Sequence, residues 1–227
     1  SIKKIIFASS YLIYDENLYQ FSKPINNEIK LSEKSNVNPR NLIGMSKLAH
    51  ETELKFLSKF KKNKLSIISA RIFRGYGCNS RDIISRWIRS LQEKKTITLY
   101  RKEGKFDFIY AKDSAEGLIK LAKISNSFCV VNLGTGNSRK IIEIIDILKK
   151  YFKHFKVKEI KSNIHYESSK ADIKKLNYLT KWSPKYNLEK AIHEMVKFEK
   201  NITYLQICIL QTLTISKFEK LAKKWPK

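Results

Sequence analysis

The stretch "LSIISARIF", residues Leu65–Phe73, is the segment that decides the fold class. It is dominated by apolar and β-branched residues, which is typical of a strand buried inside a sheet. An amphipathic helical pattern precedes it, with apolar residues at helical spacing from about residue 40 to residue 61. A buried strand that follows a helix is the unit from which parallel sheets are built.

Other strand and helix patterns alternate in the same way along the chain. Buried strands are predicted at "IIFASS", Ile5–Ser10, and at "FCVVNLGTG", Phe128–Gly136. Further helices are predicted over residues 81–95, 113–125 and 138–152, and short strands at 97–100 and 106–110. We take the polar residues 15–37 as a loop and Asp113 as an N-cap. The order predicts an α/β protein with a mostly parallel sheet.

Size and composition exclude several classes of protein. The 227 residues suffice for one large domain or one and a half smaller ones, and 42% hydrophobic residues provide a core. The three cysteines lie far apart, which argues against a disulfide framework or a zinc site and suits a reducing compartment. They are Cys78, Cys129 and Cys208. The four histidines are equally scattered, so we expect no metal site.

The apolar runs are too short to cross a membrane. The run that begins near Ile5 and the run Ile202–Ile215 both fall below the roughly 20 residues that a spanning helix needs. We therefore expect a soluble cytoplasmic protein without a membrane partner. The chain opens on a strand with Ser1, from which we expect that a further segment precedes it.

The chain is strongly basic, with 46 Lys and Arg against 21 Asp and Glu, a net charge of +25. Such a charge attracts nucleic acids non-specifically. However, the lysines are spread over almost every segment, and no recognition helix, zinc finger or RNA-binding aromatic motif is present. We therefore do not expect a dedicated nucleic-acid partner.

The segment "NLGTGNSRK", Asn132–Lys140, contains the start of a dinucleotide fingerprint. The full G-x-G-x-x-G motif needs a third glycine, and Arg139 stands at that position. An ordinary strand-to-helix turn is the better interpretation. The chain thus contains no glycine-rich pyrophosphate-binding loop.

Six segments in chain order carry motifs of one protein family. They are "SSYLIYDE" (Ser9–Glu16), "NPRNLIGMSKLAHE" (Asn38–Glu51), "ARIFRGYG" (Ala70–Gly77), "FDFIYAKDSAEGL" (Phe106–Leu118), "VVNLGTG" (Val130–Gly136) and "ESSKADIKKLNYLTKWSPKYNLEKAI" (Glu167–Ile192). Together they resemble the extended short-chain dehydrogenases that epimerise or dehydrate nucleotide sugars. Each motif alone is weak evidence of homology, but six motifs in the family's order are strong evidence.

The resemblance implies a partial Rossmann-type, doubly wound parallel sheet with a smaller C-terminal substrate-binding subdomain. Residues 1–74 would belong to the nucleotide-binding domain and 75–198 to the substrate-binding subdomain, with strand 128–133 returning to the sheet. Residues 199–227 form a tail without an assigned role. The cofactor would be NAD or NADP, whose glycine-rich binding turn would precede Ser1. A complementing N-terminal polypeptide or a homodimer would then complete the site.

The resemblance also assigns the catalytic residues. In this family a tyrosine and a lysine four residues apart share one face of the active-site helix, and the tyrosine transfers a proton. Lys47 matches the lysine, which binds the nicotinamide ribose, and Ser10 matches a hydroxyl that holds the reacting oxygen. Ile43 stands where the tyrosine would be. Ile43 provides no group for acid–base catalysis by this family's route.

Further residues match positions around the cofactor and the substrate. Ile72 and Phe73 match residues that pack beside the nicotinamide. Tyr11 follows Ser10 and, with Leu12, replaces an Asp-Glu pair of the dehydratases, which argues against dehydration. Arg74 replaces an asparagine near the sugar nucleotide, and Phe106 replaces an arginine that contacts its phosphates. Lys105 or Arg81 is a candidate substitute as a phosphate partner, although each such charge is more often solvated.

Two functions are compatible with these residues and motifs, and a third, a basic domain that associates with nucleic acids, is supported only by the net charge. The first is an NAD(P)-dependent nucleotide-sugar epimerase or reductase, an isomerase or oxidoreductase of the extended short-chain type, represented here by its C-terminal portion. The second is a non-catalytic relative that keeps the fold and binds a nucleotide sugar or a partner subunit. Ile43 and the missing glycine-rich loop favour the second function.

Overall fold

The computed structural model describes residues 2–60, 65–125 and 128–202. The strands are β1 (Lys4–Ser10), β2 (Gln20–Phe21), β3 (Ile29–Leu31), β4 (Ser66–Ile72), β5 (Arg74–Tyr76), β6 (Ile97–Leu99), β7 (Lys105–Phe106), β8 (Phe108–Tyr110), β9 (Cys129–Leu133), β10 (Arg139–Lys140), β11 (Val157–Glu159), β12 (Tyr166–Glu167) and β13 (Ser169–Ala171). The helices are α1 (Leu42–Phe60), α2 (Ile83–Gln92), α3 (Ala111–Ala122), α4 (Ile141–Lys149), α5 (Lys174–Thr180) and α6 (residues 188–202). Short 3₁₀ turns cover Tyr11–Ile13 and Glu16–Leu18.

The core of the fold is a parallel sheet with the strand order β1-β4-β9. The central strand β4 is almost entirely buried, because strands lie on both sides of it and helices cover its faces. This arrangement confirms the predicted α/β class with its Rossmann-type sheet. The carboxyl ends of the three strands meet at one edge, where ligands bind in sheets of this type.

Strand β1 is an edge strand of this sheet. It pairs with β4 on one side, and no strand of the described residues pairs with its other side. Its apolar residues Ile5, Ile6 and Phe7 are only half-buried, whereas the equivalent stretch of β4 is buried. An apolar edge strand with free backbone groups is a surface on which another strand can pair.

Helix α1 lies close against the turn that follows β1. A Cβ atom on Gly44 would be only 2.3 Å from the carbonyl oxygen of Leu12 and 3.1 Å from the Cβ of Pro39. Any larger residue would push the helix away from the turn. The glycine therefore sets how closely α1 approaches the end of β1.

A buried ion pair joins α1 to the central strand. Glu51 accepts hydrogen bonds from Arg71 Nη2 at 2.8 Å and Nε at 3.2 Å, in a two-pronged arrangement. Ser69 Oγ donates to the same carboxylate at 2.9 Å. All three residues are buried, so the pair fixes the rotation of α1 about its own axis.

Apart from the core around the central sheet, a large apolar cluster lies between helices and short strands. It is formed by residues of α2, α4 and α6 together with strands β6 and β8, and includes Trp87, Ile144 and Met195. The neighbouring strands pair in twos, β5 with β8 and β6 with β11. The domain boundaries at residues 74 and 198 stay predictions.

The structure corrects two of the expectations drawn from the sequence. Residues 15–37 contain β2 and β3, which pair with β12 and β13 from the C-terminal part of the chain. Such short strands carry little local signal, since their partners are more than a hundred residues away. Asp113 is no N-cap, because α3 begins at Ala111 and the Asp113 carboxylate accepts from the backbone N–H groups of Lys185 and Tyr186.

Among the described residues, no helix has both the length and the apolar character needed to cross a membrane. The same residues contain no group of three or more His, Cys, Asp or Glu side chains suited to a metal ion. The predicted tail lies outside the described residues from position 203 onwards, and so does Cys208.

Replacing Gly44 with alanine tests the close approach of α1. We expect Gly44→Ala to lower the free energy of unfolding by about 1–3 kcal/mol, because the new methyl group overlaps backbone atoms of Leu12. Urea unfolding followed by circular dichroism measures the change. Gly75→Ala is the matched control, since its Cβ would meet no atom closer than 4.0 Å. Equal stability of the two variants would contradict this explanation of the glycine.

Replacing Glu51 with alanine tests the buried ion pair. We expect Glu51→Ala to cost about 3–5 kcal/mol, because Arg71 is left as a buried charge without its carboxylate. Glu53→Ala on the same helix is exposed and should change the free energy of unfolding by less than about 0.5 kcal/mol. A loss for Glu51→Ala no greater than that for Glu53→Ala would show that the pair does not anchor the helix.

Candidate functional site

Ser10 ends β1 at the carboxyl edge of the central sheet. Its Oγ accepts a hydrogen bond from the backbone N–H of Leu12 at 3.2 Å and caps the 3₁₀ turn that follows. This contact uses a lone pair of the oxygen, so the hydroxyl can still donate its hydrogen. The cap holds the side chain at the strand end.

Lys47 reaches from α1 to the same strand. Its Nζ donates to the carbonyl oxygen of Ala8 at 2.8 Å and lies 5.1 Å from the centre of the Phe7 ring. Ala8 is two residues before Ser10 in β1. The structure therefore brings Lys47 to the strand that ends in Ser10, and Gly44 and Glu51 hold the helix that carries it.

Ile43 lies one helical turn before Lys47, and its side chain is 61% exposed. It has no group that can donate or accept a proton. The structure thus presents a lysine at the carboxyl edge of the sheet without a phenol beside it on the helix.

Tyr11 lies beyond Ser10 with its ring inside the protein, at 3% exposure. The ring stacks on Phe73 with 5.0 Å between the centroids. Its hydroxyl accepts from Arg40 Nη2 at 3.3 Å and from Arg74 Nη1 at 3.4 Å. The pKa of Tyr11 is raised to about 12, chiefly by burial and then by the charge of Glu167, while the two arginines oppose the shift. The hydroxyl is therefore protonated at neutral pH.

Arg40 and Glu167 are members of this site that the sequence patterns did not reveal. Arg40 Nη1 donates to Glu167 Oε2 at 2.9 Å, and its guanidinium lies 5.7 Å from the centres of the Tyr11 and Tyr19 rings. The two residues are 127 positions apart, so no spacing in the sequence pairs them. Only the pairing of β12 with β2 brings Glu167 to this place.

The remaining predicted residues fall into two groups. Phe73 is buried beneath Tyr11, and Ile72 is half-buried at the end of β4. The Arg74 guanidinium lies 4.8 Å from the centre of the Phe106 ring. These residues surround the carboxyl edge of the sheet. Arg81 is exposed beside the N-terminus of α2 and makes no hydrogen bond or ion pair to the other predicted site residues. Its role as a substrate contact stays a prediction.

The loop at Gly134–Gly136 is held by one buried carboxylate. Asp107 accepts from the backbone N–H groups of Thr135, Gly136 and Ala171 and from Thr135 Oγ1. A Cβ on Gly134 would be 2.7 Å from the Ala171 Cβ and 2.9 Å from Asp107 Oδ2. These contacts explain Gly134 as a packing requirement. Gly136 has a φ of 73°, a backbone conformation that favours glycine, in agreement with a strand-to-helix turn.

A cavity of about 740 Å³ lies elsewhere, lined by the loop after α4, the end of α2 and Lys200 of α6. Among its lysines, Lys94 and Lys153 follow the C-terminal ends of α2 and α4. Cations favour helix C-termini, which carry a partial negative charge, so this lining needs no ligand to explain it. We therefore place the candidate site at the carboxyl edge of the sheet.

Comparisons with known proteins show that this chain is similar to nucleotide-sugar epimerases. The chain is 25% identical over 209 residues to a putative UDP-glucose 4-epimerase of Methanocaldococcus jannaschii, a match that covers 88% of this chain and 64% of that protein. It is 24% identical over 176 residues to a dTDP-L-rhamnose 4-epimerase of Burkholderia thailandensis, covering 72% of this chain and 47% of that protein. The chain therefore spans less than two thirds of the length of these relatives.

Solved structures show the same fold. UDP-glucuronic acid 4-epimerase from Bacillus cereus, in complex with UDP-glucuronic acid and NAD, superposes with a TM-score of 0.74 at 23% identity, covering 89% of this chain and 63% of that one. ADP-L-glycero-D-manno-heptose-6-epimerase from Helicobacter pylori gives a TM-score of 0.69 at 25% identity, covering 86% and 58%. The model of the NAD-dependent epimerase/dehydratase family matches residues 1–134, which is more than half of the chain. With its parallel sheet and with Ser10 and Lys47 at the sheet's carboxyl edge, the chain belongs to the NAD-dependent epimerase/dehydratase family.

Proposed function

We propose that this chain forms the C-terminal, substrate-side portion of an NAD(P)-dependent nucleotide-sugar epimerase or reductase. The observation that carries the proposal is the contact of Lys47 with the carbonyl oxygen of Ala8 beside Ser10. It places a cation and a hydroxyl at the edge of the sheet where such enzymes bind their ligands. The relatives named above are epimerases of sugar nucleotides, which supports the same substrate class.

In this proposal the residues at the sheet edge hold the sugar and the cofactor. Ser10 donates its hydroxyl hydrogen to the reacting sugar oxygen, and Lys47 binds the nicotinamide ribose through its ammonium group. Ile72 and Phe73 form the wall beside the nicotinamide. The cofactor, NAD or NADP, would supply the hydride acceptor and donor. The ammonium group of Lys47 is suited to contact the ribose hydroxyls of such a cofactor. The glycine-rich turn that binds a pyrophosphate is not in this sequence.

The open edge of β1 supports a complementing N-terminal polypeptide. Its half-buried apolar side chains and unpaired backbone groups suit a further parallel strand. We propose that such a strand, joined to this chain or supplied separately, brings the pyrophosphate-binding turn. Apolar residues exposed on α1 favour association of two copies as a homodimer. They are Leu42, Met45, Phe56 and Phe60.

A second candidate is a non-catalytic relative that binds a nucleotide sugar or a partner subunit. Ile43 favours it, because acid–base assistance is typically worth roughly 10²–10⁴-fold in rate. Tyr11 is a poor substitute, because its pKa is raised to about 12, chiefly by burial, and the two arginines only partly oppose this shift. The two candidates share the substrate site and differ in proton transfer.

Replacing Ile43 with tyrosine tests the catalytic candidate. In the chain completed by its N-terminal segment and supplied with NAD⁺, we expect Ile43→Tyr to raise the rate of UDP-sugar epimerisation by about 10²–10⁴-fold, because a phenol is restored one turn before Lys47. Chromatography of the sugar products measures the rate.

Ile43→Phe is the matched control, because it adds the ring without the hydroxyl and should leave the rate unchanged. Equal rates for the tyrosine and phenylalanine variants would favour the non-catalytic candidate. If the completed chain binds neither NAD⁺ nor a UDP-sugar in calorimetry, the enzyme proposal is refuted.

A further inference from the structure

The charges around Tyr11 do not balance. Two guanidinium groups, of Arg40 and Arg74, contact the same tyrosine hydroxyl. The carboxylate that faces them is that of Glu167, which is 4% exposed. The cluster of Tyr11, Arg40, Arg74 and Glu167, here called the arginine cluster, thus carries one more positive than negative charge.

Both oxygens of Glu167 are already in use. Oε2 accepts from Arg40 Nη1 at 2.9 Å, and Oε1 accepts from Ser169 Oγ at 2.9 Å. The carboxylate is therefore directed towards Arg40, and Arg74 makes no ion pair with it within 4.0 Å. The excess positive charge of the cluster lies on Arg74.

Arg74 has few partners of its own. Its side chain makes one long hydrogen bond, 3.4 Å from Nη1 to the Tyr11 hydroxyl, and stacks over the Phe106 ring at 4.8 Å. A guanidinium carries five N–H donors, so most of these donors make no hydrogen bond to described residues. Removing such a charge from water without a counter-charge is costly.

The position of Arg74 allows a ligand to provide that counter-charge. Arg74 is half-buried, so its guanidinium has not lost all contact with solvent. Tyr11 directly follows Ser10, the proposed contact of the reacting sugar oxygen. Planar guanidinium groups bind the two oxygens of a carboxylate in pairs. An anion bound here would lie next to the reacting end of the substrate.

We propose that Arg74, supported by Arg40 and the Tyr11 hydroxyl, binds a carboxylate on the sugar ring and so selects sugar-acid nucleotides over neutral ones. The inference rests on the proposed function, since it concerns the sugar end of the same site. It adds a substrate class, because a neutral sugar would leave the excess charge of the arginine cluster uncompensated. Arg74 is a specificity residue in this proposal, with no part in proton transfer.

Calorimetric binding of UDP-glucuronate and UDP-glucose to the full chain, completed by its N-terminal segment, tests the proposal. We expect the wild-type protein to bind UDP-glucuronate about tenfold more tightly or better, as a charged hydrogen-bonded contact typically provides. Arg74→Gln should abolish this preference, because it lowers the affinity for UDP-glucuronate far more than the affinity for UDP-glucose. Arg74→Lys should restore part of it, because the charge is kept and the planar fork is lost.

Arg86→Gln is the matched control, because it removes an exposed arginine of α2 outside the cluster and should preserve the preference. An equal loss of affinity for both nucleotides in Arg74→Gln would place Arg74 at the diphosphate and overturn the proposal. An unchanged preference in a folded Arg74→Gln protein, checked by circular dichroism, would overturn it as well. If wild-type protein binds neither UDP-sugar, the proposed function itself fails, which is a distinct result.

Discussion

The structure depends on the buried ion pair between Glu51 on α1 and Arg71 on β4. Helix α1 presents Lys47 to the sheet, and a helix can rotate about its axis unless a directional contact prevents it. The two-pronged contact between the carboxylate and the guanidinium supplies this direction, and Ser69 adds a third hydrogen bond. Gly44 then sets the distance by allowing α1 to lie against the Leu12 carbonyl group. Rotation and distance together place the Lys47 ammonium group at Ala8.

The candidate site keeps a hydroxyl and a lysine at the sheet edge and carries no phenol at position 43. Ser10 and Lys47 lie at the carboxyl edge of the sheet, as an enzyme of this family would need. At position 43 the chain carries an aliphatic side chain that transfers no proton. The nearest phenol in sequence to Ser10, Tyr11, is buried between two arginines and keeps its proton at neutral pH. In the proposed function, ligand binding and proton transfer therefore depend on different residues.

The central sheet has the fold of the family, and its β1 edge is where a partner strand would pair. Its three parallel strands reproduce the fold of the epimerases to which the chain is similar, while the chain spans less than two thirds of their length. The edge of β1 is the place where a further strand would extend the sheet. A pyrophosphate-binding turn supplied there would lie at the same carboxyl edge as Ser10, because parallel strands end on the same side.

The sequence alone determined the fold class, because apolar strand patterns such as Leu65–Phe73 alternate with amphipathic helices. Motifs in a fixed order indicated the family. They also indicated the positions of Ser10, Lys47 and Ile43. Local patterns record burial and periodicity, which decide these features. Tertiary structure decided the rest. The short strands within residues 15–37, the hydrogen bonds of Asp113 and the arginine cluster all depend on partners far away in the chain. Arg40 and Glu167 meet because distant strands pair, and no local pattern encodes which buried charges will face each other.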